Sequence, residues 1–238
     1  MSTLQDNRAY YDAFSQQYER HRHDGYHAML DDLEADLVLR YARGGRVLEA
    51  GCGTGLVLSR LQPHCAQVVG VDLSGGMLRR AADRGLAVAQ ANILAIPLPD
   101  AQFDAVCCFK VLAHIERIEE AMRELGRLVK PGGVLVAEFY NPNSVRGLLW
   151  RIKRPGRVAS HLHEKNVYVR FDTPADVDRL LPPGFRRVDQ RGARVVTVVP
   201  QAHRLPVVGP ALRAVEERLA DPLASLGSFY SVVARREA

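Results

Sequence analysis

Residues 47–55 read Val47-Leu48-Glu49-Ala50-Gly51-Cys52-Gly53-Thr54-Gly55, and this stretch decides the fold. A short apolar run passes into three glycines separated by small residues. Glycine adopts backbone conformations closed to other residues and lets a ligand approach the main chain. Such a turn between a strand and a helix puts a ligand at the carboxyl end of a sheet. Upstream, Met29, Leu30, Leu33, Leu37, Val38 and Tyr41 mark an amphipathic helix over 27–42, stopped by Gly44-Gly45. Tyr10, Tyr11, Phe14 and Tyr18 share helical spacing over 8–22. Downstream, helical spacing resumes over 56–62, and a second strand over 67–71 ends at Asp72. A helix follows over 75–84, then strands over 86–91 and 103–109. Ile115, Ile118, Met122, Leu125 and Val129 form a helix stopped by Pro131-Gly132-Gly133, and 134–139 is a fifth strand. Strands alternating with helices predict an α/β fold, a mostly parallel sheet with helices on both faces.

Beyond Tyr140 the pattern weakens, and 141–170 reads as an insertion. Thr173-Pro174 with Asp176 starts a helix running to Leu181. One or two strands lie in 185–199, a helix in 207–219 and a last strand in 228–234. No linker separates two domains and no internal repeat is present.

The chain has 238 residues, 47% hydrophobic and 25% charged, with a formal net charge of +5. This composition excludes disordered, collagenous and coiled-coil classes. The charge is too small to signal nucleic acid, and no aromatic-interleaved basic stripe supports that partner. No run of 18 apolar residues exists, which excludes a spanning helix. Cys52, Cys65, Cys107 and Cys108 lack CxxC spacing, and Cys52, Cys107 and Cys108 read as small buried hydrophobes. The opening residues carry no cationic start followed by an apolar run, so the expected location is cytoplasmic.

The glycine spacing is GxGxG. A dinucleotide fingerprint would need its third glycine at Leu56, and the Gly-Lys-Ser/Thr ending of a P-loop is missing. Asp72 follows Gly51 by 21 residues, where a carboxylate can accept both hydroxyls of a ribose. With these residues the chain resembles a class I S-adenosylmethionine-dependent methyltransferase. LEAGCGTG (48–55) resembles that family's first motif and VVGVDLS (68–74) its ribose-binding second strand. ANILAIPLPDAQFDAVCCFKVLAHI (91–115) and LVKPGGVLVAEF (128–139) resemble its later motifs, in the same order.

The resemblance implies a single methyltransferase domain over 1–238, on a Rossmann-like seven-stranded sheet. Residues 1–43 would be a helical cap, 44–140 the cofactor-binding core, 141–170 an insertion or lid after strand five, and 171–238 the completion of the sheet. It implies S-adenosylmethionine as cofactor and S-adenosylhomocysteine as product. Gly51 and Gly53 would face the methionine part, and Glu49 would organise the loop and reach the amino group through water. Asp72 would hold the ribose, Leu73 and Met77 the adenine face, and Asn92 and Ile93 the adenine edge. Phe109 would offer its backbone near the sulfonium. The family often has Asp at position 92; Asn can donate as well as accept. No metal is implied. The acceptor would be a small or lipid-like molecule methylated on oxygen, nitrogen or carbon. An NAD-linked oxidoreductase and a non-catalytic cofactor-binding module are the alternatives.

His114, a few residues beyond the fourth strand, is the candidate general base, its other reading being a histidine on the rim. Tyr10, Tyr11 and Tyr18 either close over the cofactor or pack on the core. His161, His163 and His203 lie near insertions and could face the acceptor, while the HxH of 161–163 is weak metal spacing. Residues 143–157 combine Val145, Leu148, Leu149 and Ile152 at helical spacing with Trp150 and the cations Arg146, Arg151, Lys153, Arg154 and Arg157. That segment suits a lid, a dimer contact or a peripheral contact with an anionic membrane. Oligomeric state is not readable from the sequence.

Overall fold

The computed structural model describes residues 4–19, 22, 25–144, 157–159, 162–163, 168–197 and 199–238. Strands β1 (Arg46–Ala50), β2 (Gln67–Asp72), β3 (Val88–Gln90), β4 (Phe103–Cys108), β5 (Val129–Tyr140), β8 (Phe185–Ala193) and β9 (Phe229–Arg236) form one sheet in the order β3-β2-β1-β4-β5-β9-β8. The first five run parallel. β9 inserts antiparallel between β5 and β8. The mostly parallel seven-stranded sheet read from the sequence is therefore present. A separate hairpin, β6 (Arg157–Ala159) and β7 (Leu162–His163), lies inside the predicted insertion. Most of the basic segment 143–157, with His161, lies outside the described residues.

The central strands are apolar runs because both faces are covered. On one face Leu48, Val106, Leu135 and Tyr230 pack with helix α5 (Ile118–Leu128). Ile118, Ala121, Met122, Leu125 and Leu128 supply its buried stripe, and Glu119, Glu120 and Arg127 suit the two ends of its dipole. On the other face Val47, Ala105, Val136 and Val233 meet Leu37 and Val38 of α2 (Gly25–Ala42) and Leu58 and Leu61 of α3 (Leu56–Leu61). Helix α4 (Gly75–Asp83) is capped by Ser74, whose hydroxyl accepts from the Met77 amide at 3.1 Å. Helix α6 (Pro174–Leu180) starts in a capping box of Thr173 and Asp176. Helix α7 (Val208–Leu219) bridges β8 and β9.

Several boundaries differ from the sequence reading. Helix α1 spans Leu4–Phe14 rather than 8–22, because the chain turns at Ser15, whose hydroxyl donates to the Asp12 carbonyl at 2.7 Å. Ile115 lies outside α5, after a 3-10 turn at Leu112–His114. The Pro131-Gly132-Gly133 stretch sits within β5 instead of preceding it. Of the one or two strands read over 185–199, the described residues show one, β8.

Met122 is fully buried between α5 and the sheet. Met122→Ala is expected to cost about 2–5 kcal/mol of unfolding free energy, read as a lower urea midpoint at unchanged slope.

Candidate functional site

The strand order reverses beside β1, which pairs with β2 on one side and β4 on the other. Crevices form at the carboxyl ends of strands at such a point. Here a cleft of about 890 Å³, counted to its open mouth, is lined by Gly51, Gly53, Asp72, Leu73, Met77, Asn92, Ile93, Phe109, Lys110, Val111 and His114, with Tyr11 and Tyr18 from the N-terminal segment. It continues into a smaller chamber of about 330 Å³ that Glu49 reaches together with Arg22, Asp31, Glu34 and Thr54. Glu49, Gly51, Gly53, Asp72, Leu73, Met77, Asn92, Ile93, Phe109 and His114, singled out in the sequence, thus border one of two adjoining spaces.

The glycine turn follows directly from β1. Gly51 has φ +76, and a Cβ there would lie 2.2 Å from Val111 Cγ2, so the turn after β4 fits only against a glycine. Gly53 has φ +54, and its missing Cβ would stand in open space. The Gly53 amide donates to Asp72 Oδ2 at 2.9 Å, and the Ser74 amide donates to Oδ1 at 2.8 Å. The Asp72 carboxylate therefore ties the glycine turn to the end of β2 and still faces the cleft. Burial pushes its carboxyl above the ordinary range, against the amides of Ser74, Gly53 and Leu73.

Asn92 is engaged locally: its Oδ1 accepts from the Leu94 amide at 3.0 Å. The bond holds the turn after β3 and leaves the side-chain NH₂ as the group available to a ligand. Helix α1 is clamped beside this wall. Asp12 Oδ1 accepts from the Ser74 hydroxyl at 2.6 Å and the Gly76 amide at 2.8 Å. Tyr11 and Tyr18 reach the cleft, whereas Tyr10 stacks on Phe14 at 5.8 Å.

The smaller chamber is built on charge. Lys110 has φ +60, and its ammonium meets Glu34 at 2.6 Å and Asp31 at 3.3 Å, while its amide donates to Glu138 Oε1 at 3.1 Å. Burial raises the Glu34 carboxyl to about 8 although Lys110 opposes the shift. Glu34, Asp31 and Glu138 in turn hold the Lys110 ammonium protonated against its own burial. Arg22 stands 3.6 Å from Asp31 and lies over the Tyr18 ring at 4.4 Å. Among the described residues, Glu49 Oε2, Thr54 Oγ1 and Arg22 Nε are buried with no hydrogen-bond partner. Burial also pushes the Glu49 carboxyl well up. Orphaned buried groups of both signs are costly unless a ligand satisfies them.

Lys110, Asp31, Glu34 and Arg22 were not singled out in the sequence. The signal was available: Asp31 and Glu34 interrupt the apolar pattern of α2, and Lys110 is a lone charge in the apolar run 105–113.

At the mouth, His114 Nδ1 lies 2.9 Å from the Tyr168 carbonyl. A carbonyl only accepts, so Nδ1 carries a proton. Tyr140 meets the imidazole edge-on at 5.8 Å. The backbone bond from the Arg170 amide to the Ala113 carbonyl, 2.8 Å, keeps 168–170 alongside. His203 does not line the cleft; it is buried and bonded to Thr197 Oγ1 at 2.9 Å. The Cys52, Cys107 and Cys108 thiols are pushed up by burial, in keeping with apolar packing roles.

Residues 48–137 match the family model described as a methyltransferase domain. An uncharacterized methyltransferase of Mycobacterium tuberculosis is 39% identical over 110 residues, 44% of this chain and 56% of that protein. The chain thus spans little more than half the length of that relative. A ubiquinone biosynthesis O-methyltransferase of Chromobacterium violaceum is 30% identical over 161 residues, 63% of this chain and 69% of that protein. Among solved structures, magnesium protoporphyrin IX methyltransferase of Synechocystis PCC 6803, with bound SAH, superposes with a TM-score of 0.69 at 18% identity, covering 99% of this chain and 100% of the other.

Lys110→Met leaves Asp31 and Glu34 buried without their shared counter-ion and is expected to cost about 3–5 kcal/mol in chemical denaturation. His27, on α2, has its pKa lowered from 6.5 to about 4, first by burial and then by Arg22. A depressed folded pKa means that protons favour the unfolded chain, so this contribution to stability is complete above pH 6.5 and lost as pH falls through 4. Urea midpoints between pH 7 and 4 should fall less steeply in His27→Gln than in the parent chain.

Proposed function

The chain belongs to the S-adenosylmethionine-dependent methyltransferases, and from that premise we propose that it transfers a methyl group from S-adenosylmethionine to a small-molecule acceptor. The observation that carries this reading is the pairing of two adjoining spaces with different chemistry. One ends in unbonded groups of both signs, Glu49 Oε2 and Arg22 Nε, which suit the ammonium and carboxylate of an amino acid. The other runs past the Asp72 carboxylate to an apolar wall of Leu73, Met77 and Ile93, which suits a nucleoside.

On this reading Asp72 accepts from the ribose hydroxyls. Leu73 and Met77 cover the adenine face, and Asn92 and Ile93 meet its edge. Gly51, packed against Val111, and Gly53, where a Cβ would stand in open space, present their main chain to the methionine part. The main chain at Phe109 and the αL turn at Lys110 bring the wall of the cleft towards the sulfonium.

The cofactor supplies an electrophilic methyl group, which leaves the sulfonium as a neutral thioether forms. The protein's share is alignment of the acceptor and exclusion of water. For a hydroxyl or amine acceptor, His114 Nε2 takes the departing proton, and the Tyr168 carbonyl at Nδ1 steadies the imidazolium that results. The cap, core, insertion and C-terminal completion work as one unit, because β9 supplies the neighbour that β5 lacks. No described helix is long and apolar enough to cross a membrane. With four free cysteines, the chain suits the reducing cytoplasm.

Calorimetric titration tests the cofactor, and a methyl-transfer assay over a panel of hydroxyl, amine and phenol acceptors tests the reaction. Asp72→Ala should weaken binding of S-adenosylmethionine and its demethylated product by about tenfold or more, from the loss of charge-assisted hydrogen bonds. His114→Gln should leave that affinity in place and lower kcat by about 10²–10⁴-fold, from the loss of a positioned base. A parent chain that binds neither compound overturns the proposal.

A further inference from the structure

Residues 194–228 leave the sheet after β8 and return to it at β9. They do so at the end where β5 finishes, since Phe229 pairs with both Ala193 and Tyr140. This is the end of the sheet that carries the cleft. The excursion is firmly built. Glu216 of α7, fully buried, accepts from the amides of Val195 at 2.9 Å, Val196 at 2.9 Å and Thr197 at 2.5 Å. Thr197 is bonded in turn to His203. Gly209 lies so close to the 3-10 turn Pro200–Arg204 that a Cβ would stand 2.3 Å from the His203 carbonyl oxygen.

What this framework holds outward is apolar. Eight of the ten large apolar side chains exposed among the described residues fall within 196–226. Val207 is 82% exposed, Val199 54% and Leu205 52%. Val208 and Val215 are exposed as well and lie two turns apart on one side of α7. A patch of this kind on an otherwise ordinary surface marks a docking site. The charge around it selects the occupant. Arg204 and Arg218 are exposed and have no acidic ion-pair partner among the described residues. The nearby acids are already committed: Glu216 to the backbone, Glu217 to Arg213, and Asp221 to Arg40 and Arg191. An apolar tip flanked by uncompensated arginines complements a layer of anionic headgroups above hydrocarbon.

We infer that the 199–215 arch is a peripheral docking surface for an anionic lipid bilayer, and that it sets the cleft end of the sheet against that bilayer. Docking requires no cofactor, so it stands or falls separately from the methyl-transfer reading.

The test is co-sedimentation of the full chain with phosphatidylcholine vesicles and with vesicles containing phosphatidylglycerol. Binding to the anionic vesicles, weakened by added salt, is expected. The double variant Val207→Glu with Val208→Glu changes only exposed side chains, so its melting temperature should match the parent. Its partition into anionic vesicles should fall by at least about tenfold. Arg204→Glu should weaken binding while its apolar tip stays intact. Failure of the parent chain to sediment with either vesicle overturns the proposal. So does a double variant that sediments like the parent. A parent dimer in light scattering that the double variant dissociates would assign the patch to a second copy and also overturn it.

Discussion

The candidate site depends on one buried ammonium. Lys110 leaves the end of β4 in a left-handed turn and reaches the carboxylates of Asp31 and Glu34 on α2, while its own amide holds Glu138 on β5. The ends of the paired strands β4 and β5 are thereby fixed to α2, which shares no ladder with either. Without the cation, the buried carboxyls of Asp31 and Glu34 would lose their shared counter-ion, and burial would favour their protonated forms or a displaced helix. The arrangement also sets the field in the chamber. Carboxylates lie close to both positive groups, so a ligand bearing positive and negative charge finds partners already desolvated.

The second constraint is steric. The glycine turn and the turn after β4 cross so closely that Val111 occupies the space of a Gly51 side chain. Asp72 then fastens the same glycine turn to β2. Three successive parallel strands therefore end in loops that hold one another, and a rigid floor results. At the mouth of the cleft, His114 is positioned by a backbone carbonyl from a neighbouring segment.

Much of this was written in local sequence. The strands of the parallel core show as apolar runs, the glycines at 51, 53 and 55 show as a turn, and the carboxylate ending β2 shows through its distance from them. Ser15 and the 3-10 turn at 112–114 were harder, because one hydrogen bond to a nearby carbonyl competes with helical periodicity. The charged floor was not legible as a unit. Asp31, Glu34, Lys110 and Glu138 come from three distant parts of the chain, and each shows in the sequence only as a charge among apolar residues, without its partners. Only the pairing of their elements makes them neighbours. His203 misled for the opposite reason: its neighbourhood to an insertion suggested an acceptor contact, but Thr197, six residues away, engages it.

The position of β9 bears on how the chain comes to be folded at all. Strand β5 lies inside the finished sheet, yet the neighbour on its outer side, β9, comes only after residues 141–228. While residues 141–228 are still being added, the nascent chain carries an apolar strand with one unpaired edge. Such an edge can recruit a strand from another chain. Closure of that edge waits on residues 229–236, so completing the sheet depends on a contact between segments far apart in the chain.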